Sequence, residues 1–201
     1  MKEDYYNASV SPGCVEIEAA VYIAVKGSGR PGTDDFYEKK KALILLGRKL
    51  QFLIAAESTS SVYPIVEIFY WFDTSRFGHV AIADFYWTVP LEELEWRMCI
   101  RLKDDVDEFA VDTILEDNKK SGANFAGFFE VFRYAAGWSV QVLHEGSFAD
   151  ESRTMKLLGG FAELKGLVNH GMHHEIHLTH WEKGQNQDNQ KTILRDPVLL
   201  T

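Results

Sequence analysis

Cysteine is almost absent from this sequence: among 201 residues, only Cys14 and Cys99 carry a thiol. Two isolated cysteines cannot supply the disulfide framework of small secreted proteins, and they have none of the neighbouring partners that zinc sites require. We interpret both as ordinary buried thiols, which is the usual state of a free cysteine. The sequence predicts neither a bound metal nor a cofactor.

Long apolar runs are also missing. No stretch approaches the roughly 20 apolar residues that cross a bilayer as a helix. The first six residues, MKEDYY, contain no apolar core of a signal peptide. We therefore expect a soluble, cytoplasmic protein with no membrane partner.

Positive charge is scarce. The chain contains 21 Lys and Arg against 30 Asp and Glu, which gives a formal net charge of -9. Nucleic-acid binding requires a basic surface, and no long Lys/Arg stripe is present, so we expect no nucleic-acid partner. A neutral or cationic small ligand suits this net charge better than an anionic one.

Apolar and aromatic residues are abundant, at 46% and 13% of the chain. This length and composition are sufficient for a buried core within a single domain, residues 1–201. Periodicity and turn residues predict the order of the elements. The predicted strands are Val15–Val25, Val62–Phe72, Val80–Val89, Leu94–Leu102, Trp138–His144 and Met172–His180. The predicted helices run from about Asp34 to about Ala56, from Val106 to about Lys119 and from Asp150 to about Leu167. We expect Lys191–Thr201 to form an ordered tail.

The same order of elements occurs twice. A strand, a glycine turn, an acid-capped helix and further strands appear first in about residues 13–121 and again in about residues 122–201. Gly27 and Gly146 hold equivalent places in the two halves. The sequence thus predicts an α+β fold of two β-α-β-β repeats, with antiparallel sheets, helices on one face and a ligand cleft between the repeats.

One strand concentrates polar side chains that suggest a pocket. Because strand side chains alternate, His173, Glu175 and His177 share one face, while His174 and Ile176 share the other. Glu175 is either a strand carboxylate in a surface ion pair or a partly desolvated group. As a desolvated group, it pairs with a ligand cation or acts as a general base toward water.

His177 is placed to reach the same space as Glu175. The alternative interpretation is that His177 is an ordinary histidine that is hydrogen-bonded or faces solvent. A metal site is disfavoured by distance. Residues four apart on a strand are separated by ~13 Å, so His173 and His177 cannot both bind one ion at roughly 2.1 Å.

Aromatic side chains are the other candidate constellation. Strand alternation assigns half of them to the core, and the rest are available to stack on a flat ligand or to attract a cation to a ring face. The candidates for the pocket walls are Phe69, Trp71, Phe85, Trp87, Trp96 and Trp138.

Several segments resemble a known family. Residues 140–151, VQVLHEGSFADE, resemble its pattern VQILHIGPYDDE; residues 173–178, HHEIHL, resemble HHEIYL; and residues 191–198, KTILRDPV, resemble KTILRQPV. Pro90-Leu91-Glu92 with Trp96 is similar to the family's PLEGxW segment. These patterns are those of the GyrI-like small-molecule-binding family, and the chain resembles its stand-alone members.

The resemblance implies two β-α-β-β modules (the SHS2-like unit) with pseudo-twofold symmetry and a central aromatic cleft. It implies that Glu175 is the cleft glutamate and that the ligand is a hydrophobic, planar, neutral or cationic aromatic compound. Some stand-alone members hydrolyse cyclopropane-type genotoxins for detoxification, with the glutamate as general base or acid. His177 departs from the family pattern, which has Tyr there, so a mechanism that requires this phenol is in doubt.

Three functions follow from these observations. The first is a stand-alone small-molecule-binding protein of the multidrug-binding kind. The second is a hydrolase of cyclopropanoid electrophiles, with Glu175 as the catalytic residue. The third is a protein-interaction module similar to a gyrase inhibitor, which acts without catalysis and whose protein partner the sequence does not name.

Overall fold

A computed structural model of the chain describes residues 5–55, 63–122 and 124–200. The strands are β1 Gly13–Ile17, β2 Ala20–Ser28, β3 Val66–Trp71, β4 Glu95–Arg101, β5 Phe129–Tyr134, β6 Gly137–Glu145, β7 Leu167–Asn169, β8 His173–His177 and β9 Lys191–Leu200. The α-helices are α1 Asp34–Lys49, α2 Thr74–Phe77, α3 Phe85–Thr88, α4 Glu108–Lys120 and α5 Glu151–Leu164. Within these described residues, no helix has the length and apolar character needed to cross a membrane.

The strands form one antiparallel sheet in the order β1-β6-β9-β8-β3-β4-β2-β5, with β7 paired to the end of β9. The triplets β2-β4-β3 and β6-β9-β8 have the same internal order, and each comes from a β-α-β-β unit. The two triplets meet where β3 pairs with β8, in a register that sets Ile68 opposite Glu175. The predicted α+β fold is confirmed, and the two halves join edge to edge into a single sheet.

The helices α1 and α5 cover one face of this sheet. Thr33 caps α1 by accepting a hydrogen bond from the backbone N–H of Phe36, and Asp34 and Asp35 occupy the first turn, where acids suit the helix dipole. The core between helices and sheet draws on both halves of the chain. Its buried members include Ile23, Val25, Leu43, Ile44, Ile68, Met98, Ile100, Val140, Val142, Met155, Leu158 and Leu194.

We call the pairing of β3 with β8 the seam. A buried polar network lies at the seam on the face of the sheet opposite α1 and α5. Glu67 on β3 accepts hydrogen bonds from Tyr5 Oη at 2.7 Å and from His174 Nε2 at 2.8 Å. Burial raises the pKa of Glu67, but the bonds from His174 and Tyr5 outweigh it and lower that pKa below its ordinary value. The network therefore links β3 to β8 on the face of the sheet that α1 and α5 do not cover.

The predicted strand Val80–Val89, and the hairpin that it implied, are wrong. This segment forms a 3-10 turn, Ile82–Asp84, followed by α3. Ile82 and Phe85 are buried together at a spacing of three residues, while Trp87 is 64% exposed. A spacing of three places side chains on one side of a helical turn, so packing against the core decides the conformation.

Other boundaries also differ from prediction. Helix α1 ends at Lys49, short of the predicted Ala56, and Ile54 instead pairs with Leu102 as an isolated bridge. The predicted strand Val15–Val25 is divided into β1 and β2, which pair with opposite halves of the sheet. Cys99 is buried as predicted, but Cys14 is exposed because it lies on the edge strand β1. Residues 56 and 62 lie outside the described residues.

Two adjacent glycines in α5 offer a test of this packing. A Cβ built on Gly159 would lie 2.6 Å from the backbone nitrogen of Ala83, whereas one built on Gly160 meets nothing within 4 Å. We expect Gly159→Ala to lower the free energy of unfolding by about 1–3 kcal/mol, because backbone must move. The matched Gly160→Ala should raise it by about 0.5–1 kcal/mol through helix propensity. Urea denaturation measures both, and equal effects would contradict the packing described.

Candidate ligand-binding site

A cavity of about 410 Å³ lies over the β3–β8 seam, between α1 and α5. Its floor consists of Ile68 and Tyr70 from β3 with Glu175 and His177 from β8. The remaining wall residues come mainly from α1, α3, α5 and the segments before and after the strands. They include Pro31, Phe36, Tyr37, Phe85, Tyr86, Leu91, Leu94, Phe148, Glu151, Ser152, Trp181 and Gln187.

The alternation predicted for β8 is present. Glu175 faces the cavity with His177, whereas His174 points to the other side of the sheet, toward Glu67. The register of β3 against β8 then places Ile68 beside Glu175. Strand alternation and antiparallel pairing thus bring the carboxylate to the middle of the cavity floor.

Glu175 is a buried hydrogen-bond acceptor, only 5% exposed. Its Oε1 accepts from Tyr86 Oη at 2.7 Å, and its Oε2 accepts from His177 Nε2 at 3.1 Å. His173 Nε2 lies 3.6 Å from Oε1, which is an ion-pair distance. Of the two interpretations offered by the sequence, this geometry favours the desolvated carboxylate over the surface ion pair.

The protonation of this cluster follows from its partners. Burial raises the pKa of Glu175, but the interactions with His173 and His177 outweigh it, and the pKa falls far below its ordinary value. Burial lowers the pKa of His173, yet Asp196 and Glu175 raise it to about 10; Asp196 Oδ2 lies 3.1 Å from His173 Nδ1. At neutral pH, Glu175 is therefore ionised beside an imidazolium.

A second carboxyl group in the cavity behaves oppositely. Glu151 is 4% exposed, and its Oε2 lies 3.3 Å from Tyr86 Oη. Burial and the charge of Glu175 together raise the pKa of Glu151 well above its ordinary value, which favours the protonated form. Tyr86 thus lies between an ionised carboxylate and a carboxyl group with a raised pKa, an arrangement suited to acid–base chemistry.

The net charge of the site follows from these states. The carboxylates of Glu175 and Asp196 flank the single imidazolium of His173, at 3.6 and 3.1 Å. Burial lowers the pKa of His177, so this ring is neutral at physiological pH, and the raised pKa of Glu151 favours its uncharged form. Two carboxylates thus share one cationic partner, which favours a further positive charge in the cavity.

Trp181 forms a flat wall beside the carboxylate. Its ring stacks on the His177 ring at 4.1 Å, and Phe148 packs edge-on against both rings at 5.3 and 5.6 Å. Trp181 is 3% exposed although the residues that follow it, 182–190, are polar or glycine. Stacked rings that surround a buried negative charge are well suited to a planar cation.

Of the predicted site residues, the structure brings Glu175, His177 and Phe85 together in this cavity. Trp71 lines a different space, a cavity of about 650 Å³ at the end of the seam, which also has Phe85 and Tyr70 in its wall. Phe85 and Tyr70 therefore separate two neighbouring cavities.

The other four predicted aromatics lie outside the Glu175 cavity. Phe69 is on the opposite face of the sheet, where it stacks on His174 at 3.9 Å. Trp96 is fully buried against Phe36, over the bare backbone of Gly27. Trp87 and Trp138 are 64% and 58% exposed.

Sequence reasoning missed Tyr86, Glu151 and Trp181. Tyr86 was hidden by the wrong strand prediction, which put it on the face opposite Phe85 and Trp87. Glu151 has the position of an ordinary helix-start acid, and only its place in the segment that resembles VQILHIGPYDDE sets it apart. Trp181 lies in a segment without periodicity, so no local signal identified it.

No protein-family profile matches the sequence, and no curated protein matches it either. Solved structures do match in fold. An uncharacterized conserved protein from Listeria innocua has a TM-score of 0.75 at 23% identity, covering 98% of this chain and 97% of its own. A hydrolase from Listeria innocua has a TM-score of 0.72 at 23% identity, covering 98% and 96%.

A more distant structure is that of SAV2435 bound to tetraphenylphosphonium, with a TM-score of 0.50 at 8% identity, covering 94% of each chain. At these identities the likenesses show the fold alone. That fold is consistent with the GyrI-like architecture that the sequence segments resemble.

Proposed function

We propose that this chain is a GyrI-like protein that binds a hydrophobic, planar, neutral or cationic compound in the Glu175 cavity. The observation that carries the proposal is an ionised carboxylate, 5% exposed, on the floor of a cavity of about 410 Å³ walled by aromatic rings. The Glu175 and Asp196 carboxylates share one imidazolium, so the cavity favours a cation, and aromatic walls favour a flat one. The tetraphenylphosphonium held by SAV2435 is not planar, and it supports the hydrophobic, cationic character of the proposed ligand.

Fluorescence titration tests the proposal. N-methylacridinium is a planar aromatic cation, and we expect it to quench tryptophan emission saturably in the wild type, because Trp181 lines the cavity. The quenching should largely disappear in Trp181→Phe. The matched variant Trp87→Phe removes an exposed tryptophan outside the cavity and should retain it. Absence of saturable quenching in the wild type would reject the proposal.

A sharper form of the proposal is hydrolysis of cyclopropane-type electrophiles. The paired carboxyl groups favour it, because Glu175 is ionised and Glu151 is protonated, as base and acid must be. In the proposed step, Glu175 takes a proton from water as the oxygen bonds to one ring carbon. The ring bond breaks toward the electron-poor part of the substrate, which receives the proton of Glu151. The product has gained one water, and mass spectrometry detects it; a ring-opened product formed equally by Glu175→Gln would exclude this step.

A further inference from the structure

A third cavity, of about 310 Å³, lies along one flank of α1 and has a different chemical character. Tyr37 and Trp181 line both this space and the Glu175 cavity. The rest of its lining combines cationic and aromatic side chains. These are Lys40, Lys41, Arg48, Tyr63, His180 and Lys183, with Ile44, Leu45 and Glu182. We call it the cationic cavity.

The charges of the cationic cavity are largely uncompensated. Within residues 5–55, 63–122 and 124–200, no carboxylate forms an ion pair with Lys40, Lys41 or Arg48. Lys183 does pair with Asp34, and Glu182 approaches His180 at 3.4 Å. Three unpaired cations around one hollow are unexpected in a chain whose net charge is -9, because carboxylates are in excess.

Lys40 is the buried member of this group, 3% exposed on the inner face of α1. Its ammonium donates a hydrogen bond to the Trp181 carbonyl and lies 3.3 Å from the centre of the Trp181 ring. Burial lowers the pKa of Lys40 to about 7, and the charge of Glu182 offsets only part of the loss of solvation. An anion in the cavity would offset the rest of this loss.

The cationic cavity also has flat walls. Tyr63 and His180 stack face to face at 3.8 Å with an interplanar angle of 8°. The Arg48 guanidinium lies over the Tyr63 ring, with its central carbon 4.2 Å from the ring centre, and Trp181 also lines the cavity. Rings and planar guanidinium groups stack on aromatic ligands.

We propose that the cationic cavity is a second ligand site, which binds a small organic anion that carries an aromatic ring, such as an aromatic carboxylate. The Lys40 ammonium pairs with the anionic group, supported by Lys41 and Arg48, and the ring lies against the stacked pair of Tyr63 and His180. Its preference for charge is opposite to that of the Glu175 cavity. The site therefore takes a different class of ligand and does not depend on the function proposed for Glu175.

Calorimetric titration with 1-naphthoate tests this site in the full chain. We expect saturable binding at about pH 6 that Lys40→Met weakens by about tenfold, the value of one desolvated charge partner. The matched control Lys49→Met removes a cation from the same helix outside the cavity and should change the affinity by less than about twofold. Inorganic phosphate and 1-naphthalenemethanol, which lack the ring and the charge respectively, should each bind more weakly.

The pH dependence provides a second measurement. The titratable and charged groups that face Lys40 are Glu182, His177, His180, Lys41, Arg48 and Lys183. Burial lowers the pKa values of both histidines below 6.5, so both rings are uncharged at pH 7 and above. Affinity for naphthoate should then fall between about pH 6 and pH 9 as Lys40 loses its proton. Lys40→Arg, which stays charged, should remove most of this fall.

Any of three results would overturn the proposal of a second site: naphthoate shows no saturable binding, the wild type and Lys40→Met bind it equally well, or phosphate binds as tightly as naphthoate. The variant Glu175→Gln gives the remaining test, because it removes the negative charge of the other cavity. An unchanged naphthoate affinity there supports the proposal, and an increase above about fivefold would place the anion beside residue 175 instead.

Discussion

Replacing Glu175 with Gln should weaken the binding of N-methylacridinium by about 1–3 kcal/mol, or roughly 5–150-fold, because a desolvated charge partner is lost. Gln has nearly the same shape and still accepts the bond from Tyr86, so the cavity itself should persist. The uncharged analogue acridine, measured above neutral pH, should therefore bind both proteins with similar affinity. The two ligands together separate the loss of charge from the loss of shape.

The control for this variant is Glu163→Gln. Glu163 is an exposed acid on α5, and its replacement changes the net charge by the same amount without touching the cavity. We expect its affinity for N-methylacridinium to remain within about twofold of the wild type, because exposed charges are screened. If Glu175→Gln and Glu163→Gln behave alike, Glu175 is not the anchor for the cation.

Asp196→Asn and Lys40→Met should change the free energy of unfolding in opposite directions near pH 7. His173 has a folded pKa of about 10 against about 6.5 unfolded, so its stabilising contribution is complete below pH 6.5 and is lost as pH rises toward 10. Breaking its buried pair with Asp196 should cost about 3–5 kcal/mol near neutral pH. That deficit should shrink by roughly 1 kcal/mol per pH unit between pH 7 and 9.

Lys40 has the reverse linkage. Its folded pKa of about 7 lies below the unfolded value of 10.5, so the folded protein holds fewer protons and the penalty for burying Lys40 falls as pH rises. The gain in free energy of unfolding of Lys40→Met over the wild type should be largest near pH 7. This gain should shrink by roughly 1 kcal/mol per pH unit as pH rises from 7 to 9.

Urea denaturation at pH 7, 8 and 9 measures both differences. Groups that titrate alike in wild type and variant cancel when the difference is taken, because distant sites are close to additive. A deficit for Asp196→Asn that stays constant from pH 7 to 9 would show that His173 is not held as an imidazolium. A constant difference for Lys40→Met would show that Lys40 has an ordinary pKa.

The regular elements were predictable because their signals are local. The 3.6-residue period and the caps located α1 and α5, and the two-residue period located β8 with Glu175 and His177 on one face. The internal repeat predicted two β-α-β-β units, and the strand triplets β2-β4-β3 and β6-β9-β8 have the same order, although β1 and β5 each pair with a strand of the other predicted half.

What failed depends on contacts between distant parts of the chain. Apolar residues from Val80 to Val89 fit a strand or a helical turn equally well, and the packing of Ala83 on Gly159 decides between them. Aromatic residues such as Trp96 and Trp138 look alike in sequence, and burial alone distinguishes the two. Tyr86, Glu151 and Trp181 reach Glu175 or His177 from separate segments, so no spacing could have grouped them.

The most direct test is a crystal of the protein soaked with a brominated N-methylacridinium, whose bromine locates the ligand by anomalous scattering. The account predicts a bromine peak in the cavity between α1 and α5, with the acridinium ring against Trp181 and its cationic nitrogen near the Glu175 carboxylate. A ligand bound elsewhere, with the Glu175 cavity holding only solvent, would contradict it.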